Sequence, residues 1–318
     1  MSPATASAER QEERRLEVPT RLLLEARDRN PALAELDLER ELERLEHVWV
    51  DFNGLRIHLE RHDADPGAPT FIVVHGLGDH SRRQLALATA LAGRGFNSLL
   101  VDRQGHGLSE GRRGDSPLEA DLGLLELAIR LVRSGSDRPL VLLGDSLGGI
   151  MSWYLLTREP DIDAAVCHCI AHPDVHPDRS FARKAPLVIA AGRLFPYLPI
   201  PVHRIADYEQ VALDPETKRQ FNQQLDPLFN FTVSARSAAS YIGFRPQIPW
   251  EQVETPALVM IGSADRMVSP EFTRRSLERA RPPRAQYLEV PGAGHQLFLD
   301  DLGAAIDPLV EWVEANLG

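Results

Sequence analysis

Apolar residues in this chain change their spacing at about residue 46. Before it, charge-rich segments carry leucines at helical intervals, as in Leu38, Leu42 and Leu45, an i, i+4, i+7 stripe. Pro31 divides this region, which predicts two amphipathic helices that pack on the main domain or serve as a docking or dimerising arm. Beyond it the runs become short and β-like. HVWVDF and LRIHLERH flank Asn53-Gly54, a dipeptide that favours a two-residue hairpin turn. Continuous apolar runs follow in TFIVVHG, FNSLLVD, PLVLLGDS, AAVCHCIA, PALVMIGS and RAQYLEV. Helical segments such as SRRQLALATALAGRG and LEADLGLLELAIRLVRSG separate them. This alternation predicts an α/β fold, with a mostly parallel central sheet covered by helices on both faces.

The rhythm breaks between AAVCHCIA and PALVMIGS. The residues between them do not read as one crossover helix, and they include the proline-interrupted apolar run APLVIAAGRLFPYLPIPVH. They predict a cap over residues 173–250, inserted between strands 6 and 7 of the sheet. The organisation is then a charged helical extension (1–46), a core (47–172 and 251–318) and a cap or lid. Inserts at the carboxyl ends of parallel strands are where ligands bind.

Bulk properties narrow the function classes. The 318 residues suffice for a full core, and 43% hydrophobic with 25% charged residues is ordinary for a globular protein. A formal charge of −11 disfavours nucleic acid as a partner. MSPATASAERQEERRL lacks the apolar core of a signal peptide, and no clean apolar run reaches about 18 residues. Cys167 and Cys169 are too close along one strand to bridge each other. These features predict a cytoplasmic protein. Oligomeric state is not encoded in any of them.

Two segments spell the nucleophile-elbow pattern G-x-S-x-G: Gly144-Asp145-Ser146-Leu147-Gly148 and Gly107-Leu108-Ser109-Glu110-Gly111. The elbow needs a strand before the serine and a helix after it. Ser146 has both; Ser109 sits in a loop. A serine hydroxyl also needs a base, held in its tautomer by an acid. His295, in PGAGHQLF past the last strand, and Asp265, in GSADRMVSP past the preceding one, fill these roles. The order Ser146, Asp265, His295 is that of the α/β-hydrolase fold. Asp174 is a second candidate acid. The oxyanion hole is expected from the backbone N–H groups of Leu77 and Leu147. His75 and Gly76 beside that turn, with Leu194, Phe195 and Tyr197 of the cap, are candidate substrate contacts; the apolar cap segment would line an acyl tunnel or touch a membrane.

Two decoys carry less. HGLGDHS has Ser81 where a dinucleotide loop needs glycine. Cys167, His168, Cys169, His172 and His176 look metal-like, but Pro173 and Pro177 prevent a helix presenting both later histidines; they read as structural thiols and loop histidines.

Taken in order, HGLGDHS, VDRQGHGLSEG, LLGDSLGG, LDPL, GSADRMVSP and PGAGHQLF resemble the monoacylglycerol lipase and lysophospholipase-like serine hydrolases, from about residue 48 onward. The resemblance implies an acyl-enzyme esterase acting on lipid-like esters with no metal or organic cofactor. It also implies that Ser109 belongs to the structural loop after the fourth strand. Two departures stand out. Asp145 replaces the histidine usual before the nucleophile, and a carboxylate there is costly unless hydrogen-bonded or solvated. The cap is alike only around Asp226-Pro227-Leu228, which leaves small-ester, thioester, C–C and peptide hydrolysis open, and more remotely a non-catalytic binding role.

Overall fold

Asn53 and Gly54 both take positive φ (52° and 77°), the left-handed pair that a type I′ turn requires. They close β1 (Glu46–Phe52) onto β2 (Leu55–His62), with Phe52 opposite Leu55. The structure, a computed structural model, describes residues 3–177, 179–205, 207–211 and 214–317. The chain continues through β3 (Thr70–Val74), β4 (Asn97–Val101), β5 (Leu140–Gly144) and β6 (Ala164–His168). A short antiparallel pair, β7 (Pro199–Pro201) with β8 (Thr232–Ser234), precedes β9 (Ala257–Gly262) and β10 (Ala285–Val290). The main sheet has eight strands in the order β1-β2-β4-β3-β5-β6-β9-β10, parallel from β4 onward, with β2 antiparallel to β4. This is the α/β-hydrolase arrangement.

The helices are α1 (Pro3–Arg29), α2 (Pro31–Ala34), α3 (Leu38–Arg44), α4 (Leu85–Ala92), α5 (Leu118–Gly135) and α6 (Leu147–Leu155). They continue with α7 (Arg179–Leu194), α8 (Tyr208–Val211), α9 (Pro215–Asn222), α10 (Ala235–Ile242), α11 (Pro270–Ala280) and α12 (Leu302–Leu317). Alternation along the strands decides which helices cover which face. Phe71, Val73, Val141, Leu143, Val166 and Met260 pack with Leu87 and Leu91 of α4 and Leu309 and Val313 of α12. Ile72, Val74, Leu142, Cys167 and Val259 pack on the other face with Leu122 and Leu125 of α5 and Met151 and Trp153 of α6. Each such fully buried aliphatic side chain contributes about 1.5–3 kcal/mol.

The N-terminal region lies on the first of these faces, where Leu23, Leu33 and Leu38 join the same cluster. The expected second helix is instead two pieces, α2 and α3. Asp37 divides them, accepting the Arg40 N–H at 3.2 Å as the N-cap of α3. Leu42 and Leu45 also pack against this cluster, so the leucine stripe does face the core. Arg82 ties the extension to the hairpin, donating to Thr20 Oγ1 at 2.8 Å and to Glu60 Oε1 at 2.6 Å.

Between β6 and β9, the sixth and seventh strands of the main sheet, the chain from α7 to α10 lies over the carboxyl ends of the strands. Polar latches fasten it. His80 meets Asp226 at 2.9 Å, Tyr241 Oη donates to Asp121 at 2.5 Å, and Asn230 Nδ2 donates to Gly105 O at 2.8 Å. Burial disfavours charge on Asp226, yet the adjacent His80 outweighs it and lowers the Asp226 pKa to about 2. Among the described residues no helix is long and apolar enough to cross a membrane.

Candidate active site

Three glycines around Ser146 make the elbow sterically possible. A Cβ on Gly144 would lie 2.1 Å from Gly148 O, one on Gly148 2.2 Å from Val74 O, and one on Gly149 2.1 Å from His168 O. Strand and helix can therefore approach only with glycine at those places. Between them Ser146 takes φ 53° and ψ −114°, a backbone strain that lifts its hydroxyl out of the turn. The turn stands at the switch point of the sheet, where β5 lies beside β3 with Gly144 opposite Val74.

The structure brings Ser146, His295 and Asp265 together. Ser146 Oγ is 2.9 Å from His295 Nε2, and His295 Nδ1 is 2.7 Å from Asp265 Oδ2. Asp265 Oδ1 accepts the N–H groups of Met267 at 2.8 Å and Val268 at 2.9 Å, which fixes the carboxylate's orientation. Burial disfavours the Asp265 carboxylate, but His168 and His295 outweigh it and hold its pKa below the ordinary range. Burial likewise opposes a charge on His295, while Asp265 and Cys169 win and hold its pKa above the usual 6.5.

Leu147 opens α6, so its N–H has no intrahelical partner. Leu77 follows Gly76, whose Cα packs against the elbow: a Cβ there would lie 3.2 Å from Ser146 Cβ. Both leucines and Gly76 line the cavity that Ser146 and His295 face. That cavity holds about 610 Å³, within the usual range for small-molecule sites. Its walls are largely apolar, with Val188, Ile200, Phe229, Val233 and Phe272 among them.

Several expected contacts are elsewhere. His75 is fully buried behind the Gly76-Leu77 turn, its Nδ1 3.0 Å from Gly76 O and its Nε2 accepting the Arg103 N–H at 3.3 Å. Burial and Arg103 lower its pKa to about 3, so it is a neutral support rather than a substrate contact. Leu194, Phe195 and Tyr197 are 72%, 63% and 47% exposed on the outer surface of the insertion, not in the cavity wall. Packing of α7 against α10 turns this end of α7 outward. Tyr197 there stacks with Arg112 and Arg236, at 4.9 and 4.8 Å. Asp174 is exposed and pairs with Arg279 at 2.9 Å. Ser109 is buried, donating to Asp102 O at 2.8 Å and accepting the His58 N–H at 2.9 Å.

The cysteine–histidine cluster separates in space. Cys167 enters the core, His172 lies against Trp250, and His176 against Phe181. Cys169 has left the strand with φ 68°, so the two cysteines do not share a strand face; its Sγ is 4.0 Å from Asp265 Oδ2. His168 ends β6, the strand expected from AAVCHCIA, with Nδ1 2.7 Å from Asp145 Oδ1. The carboxylate before the nucleophile is thereby satisfied, and Gln84 Nε2 donates to it at 3.1 Å as well. Sequence reasoning missed this pair, and its only signal was the unusual Asp145 itself.

Comparison with known proteins gives the family and the fold. A curated monoacylglycerol lipase of Mycolicibacterium smegmatis is 24% identical over 287 residues, covering 86% of this chain and 98% of the relative. The crystal structure of Paleococcus ferrophilus monoacylglycerol lipase superposes with a TM-score of 0.68 at 26% identity, covering 82% of this chain and 99% of that one. A soluble variant of Saccharomyces cerevisiae monoglyceride lipase, bound to a substrate analogue, gives 0.69 at 16% identity, over 86% and 96%, and speaks for the fold alone. A family profile described as serine aminopeptidase, S33 matches residues 66–301, a span that holds the elbow and the loops bearing Asp265 and His295. Because that match takes in well over half of the 318 residues, the chain belongs to the serine aminopeptidase S33 family of α/β hydrolases.

Proposed function

We propose that this protein is a serine hydrolase that cleaves carboxylic esters with lipid-like acyl chains, of the monoacylglycerol type, through an acyl-enzyme on Ser146. The observation that carries the reading is the Ser146–His295–Asp265 hydrogen-bonded chain opening into an apolar cavity of about 610 Å³. The relatives named as monoacylglycerol lipases support the same substrate class. His295 Nε2 takes the Ser146 proton as Oγ attacks the ester carbonyl. The oxyanion is held by the Leu77 and Leu147 N–H groups. Collapse breaks the ester bond, His295 protonates the departing alcohol, and a water then repeats the cycle to release the acid.

The family's description raises peptide N-termini as a second substrate class. Recognising a free α-ammonium needs an uncommitted carboxylate. Among the described residues, the acidic ones in the cavity wall are Asp79 and Asp145. Arg83 holds Asp79 at 3.0 Å, and His168 holds Asp145 at 2.7 Å. The ester reading is therefore preferred. Its test is the initial rate on p-nitrophenyl esters from acetyl to long acyl, with Ala238→Trp, a change in the cavity wall, beside wild type. Long esters should be preferred by wild type, and the tryptophan should depress them roughly tenfold more than acetate, the scale of a pocket steric effect. Equal losses at every length would sink the acyl-cavity assignment.

The outer face of the insertion suits a different role. Leu187, Leu194, Phe195, Tyr197 and Leu198 form an exposed apolar group there, which we assign to peripheral contact with a lipid surface. Replacing Leu194 and Phe195 by aspartate should reduce co-sedimentation with phosphatidylcholine vesicles several-fold and leave hydrolysis of a soluble acetyl ester intact. Unchanged sedimentation would remove the assignment.

A further inference from the structure

Behind the Asp265 carboxylate lies a second histidine that acyl transfer itself does not use. His168 ends β6 and is fully buried. Its Nδ1 is 2.7 Å from Asp145 Oδ1, while the Ser146 N–H lies 3.4 Å from the same nitrogen. The shorter contact, to an acceptor-only carboxylate, places the proton on Nδ1. The other nitrogen, Nε2, is buried without a hydrogen-bond partner among the described residues, and it faces Asp265 Oδ2 at 3.9 Å. The ring lies 5.2 Å from the His295 ring and edge-on to Phe298.

One imidazole thus stands between two carboxylates, one at each nitrogen. The titratable groups facing it are Asp145 from the elbow, Asp265 from the loop after β9, His295 from the loop after β10, and the adjacent Cys169 thiol. Gln84, Asp79 and Arg83 stand beyond Asp145, with Asp79 and Arg83 paired to each other. Burial opposes a charge on His168, but Cys169, Asp145 and Asp265 outweigh it and raise its pKa well above the ordinary value.

We propose that His168 is a positioning residue carried as an imidazolium between Asp145 and Asp265, where its fixed charge opposes protonation of the neighbouring His295. The inference rests on the hydrolase reading of Ser146, His295 and Asp265. Unopposed, Asp265 would favour the His295 imidazolium before catalysis, and a protonated base cannot accept the serine proton. A second cation close by draws on the same carboxylate and disfavours that charge. It also neutralises Asp145, which would otherwise set a negative charge beside the developing oxyanion.

His168→Gln keeps a donor toward Asp145 and removes the charge. The acid limb of kcat/KM against pH should then move up by roughly one unit relative to wild type, since a cation at this separation is lost. A limb that stays in place or moves down overturns the proposal. Nitrogen-15 NMR of the histidines in Ser146→Ala protein asks the same question with His168 intact and without turnover. Two protonated ring nitrogens on His168 between about pH 6 and 8 are expected; a neutral tautomer there overturns it. Ester turnover surviving in Ser146→Ala would bring down the hydrolase reading instead, and the two failures are told apart.

Discussion

Ser146→Ala should abolish ester turnover, lowering kcat on the order of 10⁶-fold, whereas Ser109→Ala should leave the chemistry intact. The two serines share a five-residue spelling and differ in what their hydroxyls do. Ser146 Oγ faces His295 Nε2 at 2.9 Å and the cavity. Ser109 Oγ is spent inside the core, bridging the His58 N–H and Asp102 O. Its removal leaves a buried backbone donor unpaired, at a cost of about 1–3 kcal/mol in stability. Rates on a p-nitrophenyl ester and urea unfolding of each variant separate the effects. A folded Ser109→Ala protein without turnover would contradict the assignment.

Asp265→Asn should cost about 10⁴-fold in kcat, the penalty of the same change in the serine-protease triad. The reason is in the hydrogen bonds. Oδ1 accepts the Met267 and Val268 N–H groups, so the asparagine oxygen must keep that place. Its amide nitrogen then faces His295 Nδ1 and donates to it. The imidazole proton moves to Nε2, and the ring can no longer accept from Ser146. The pH profile should change as well. In wild type Asp265 helps to hold the His295 pKa above 6.5, so activity appears as pH rises through that raised value and the base becomes neutral. Without the carboxylate the limb should move to lower pH. A loss below about tenfold with an unmoved limb would place the acid elsewhere.

Much of this site is legible in the chain because its parts are local. The elbow needs Gly144, Ser146 and Gly148 within one strand–turn–helix, and steric contact at 2.1–2.2 Å explains why those positions are glycine. Asp265 and His295 each follow a strand whose apolar run is plain, and the hairpin turn at Asn53-Gly54 is equally direct. Sequence and structure differ where a side chain's destination depends on a distant partner. His75 sits next to the Gly76-Leu77 turn in sequence but is buried behind it. Leu194 and Phe195 look like tunnel residues by composition and face outward. Asp37 broke a predicted helix because a cap competes locally with helix continuation.

The sequence by itself determined the α/β order and where the candidate nucleophile, acid and base fall along it, because period, turn chemistry and chain order are properties of neighbouring residues. Only the tertiary structure decided which residues wall the cavity, which face of the insertion meets solvent, and that His168 answers Asp145 across 23 positions. Those outcomes depend on how separate elements pack. Burial and charge pairing between residues remote in the chain have no period for a sequence to display.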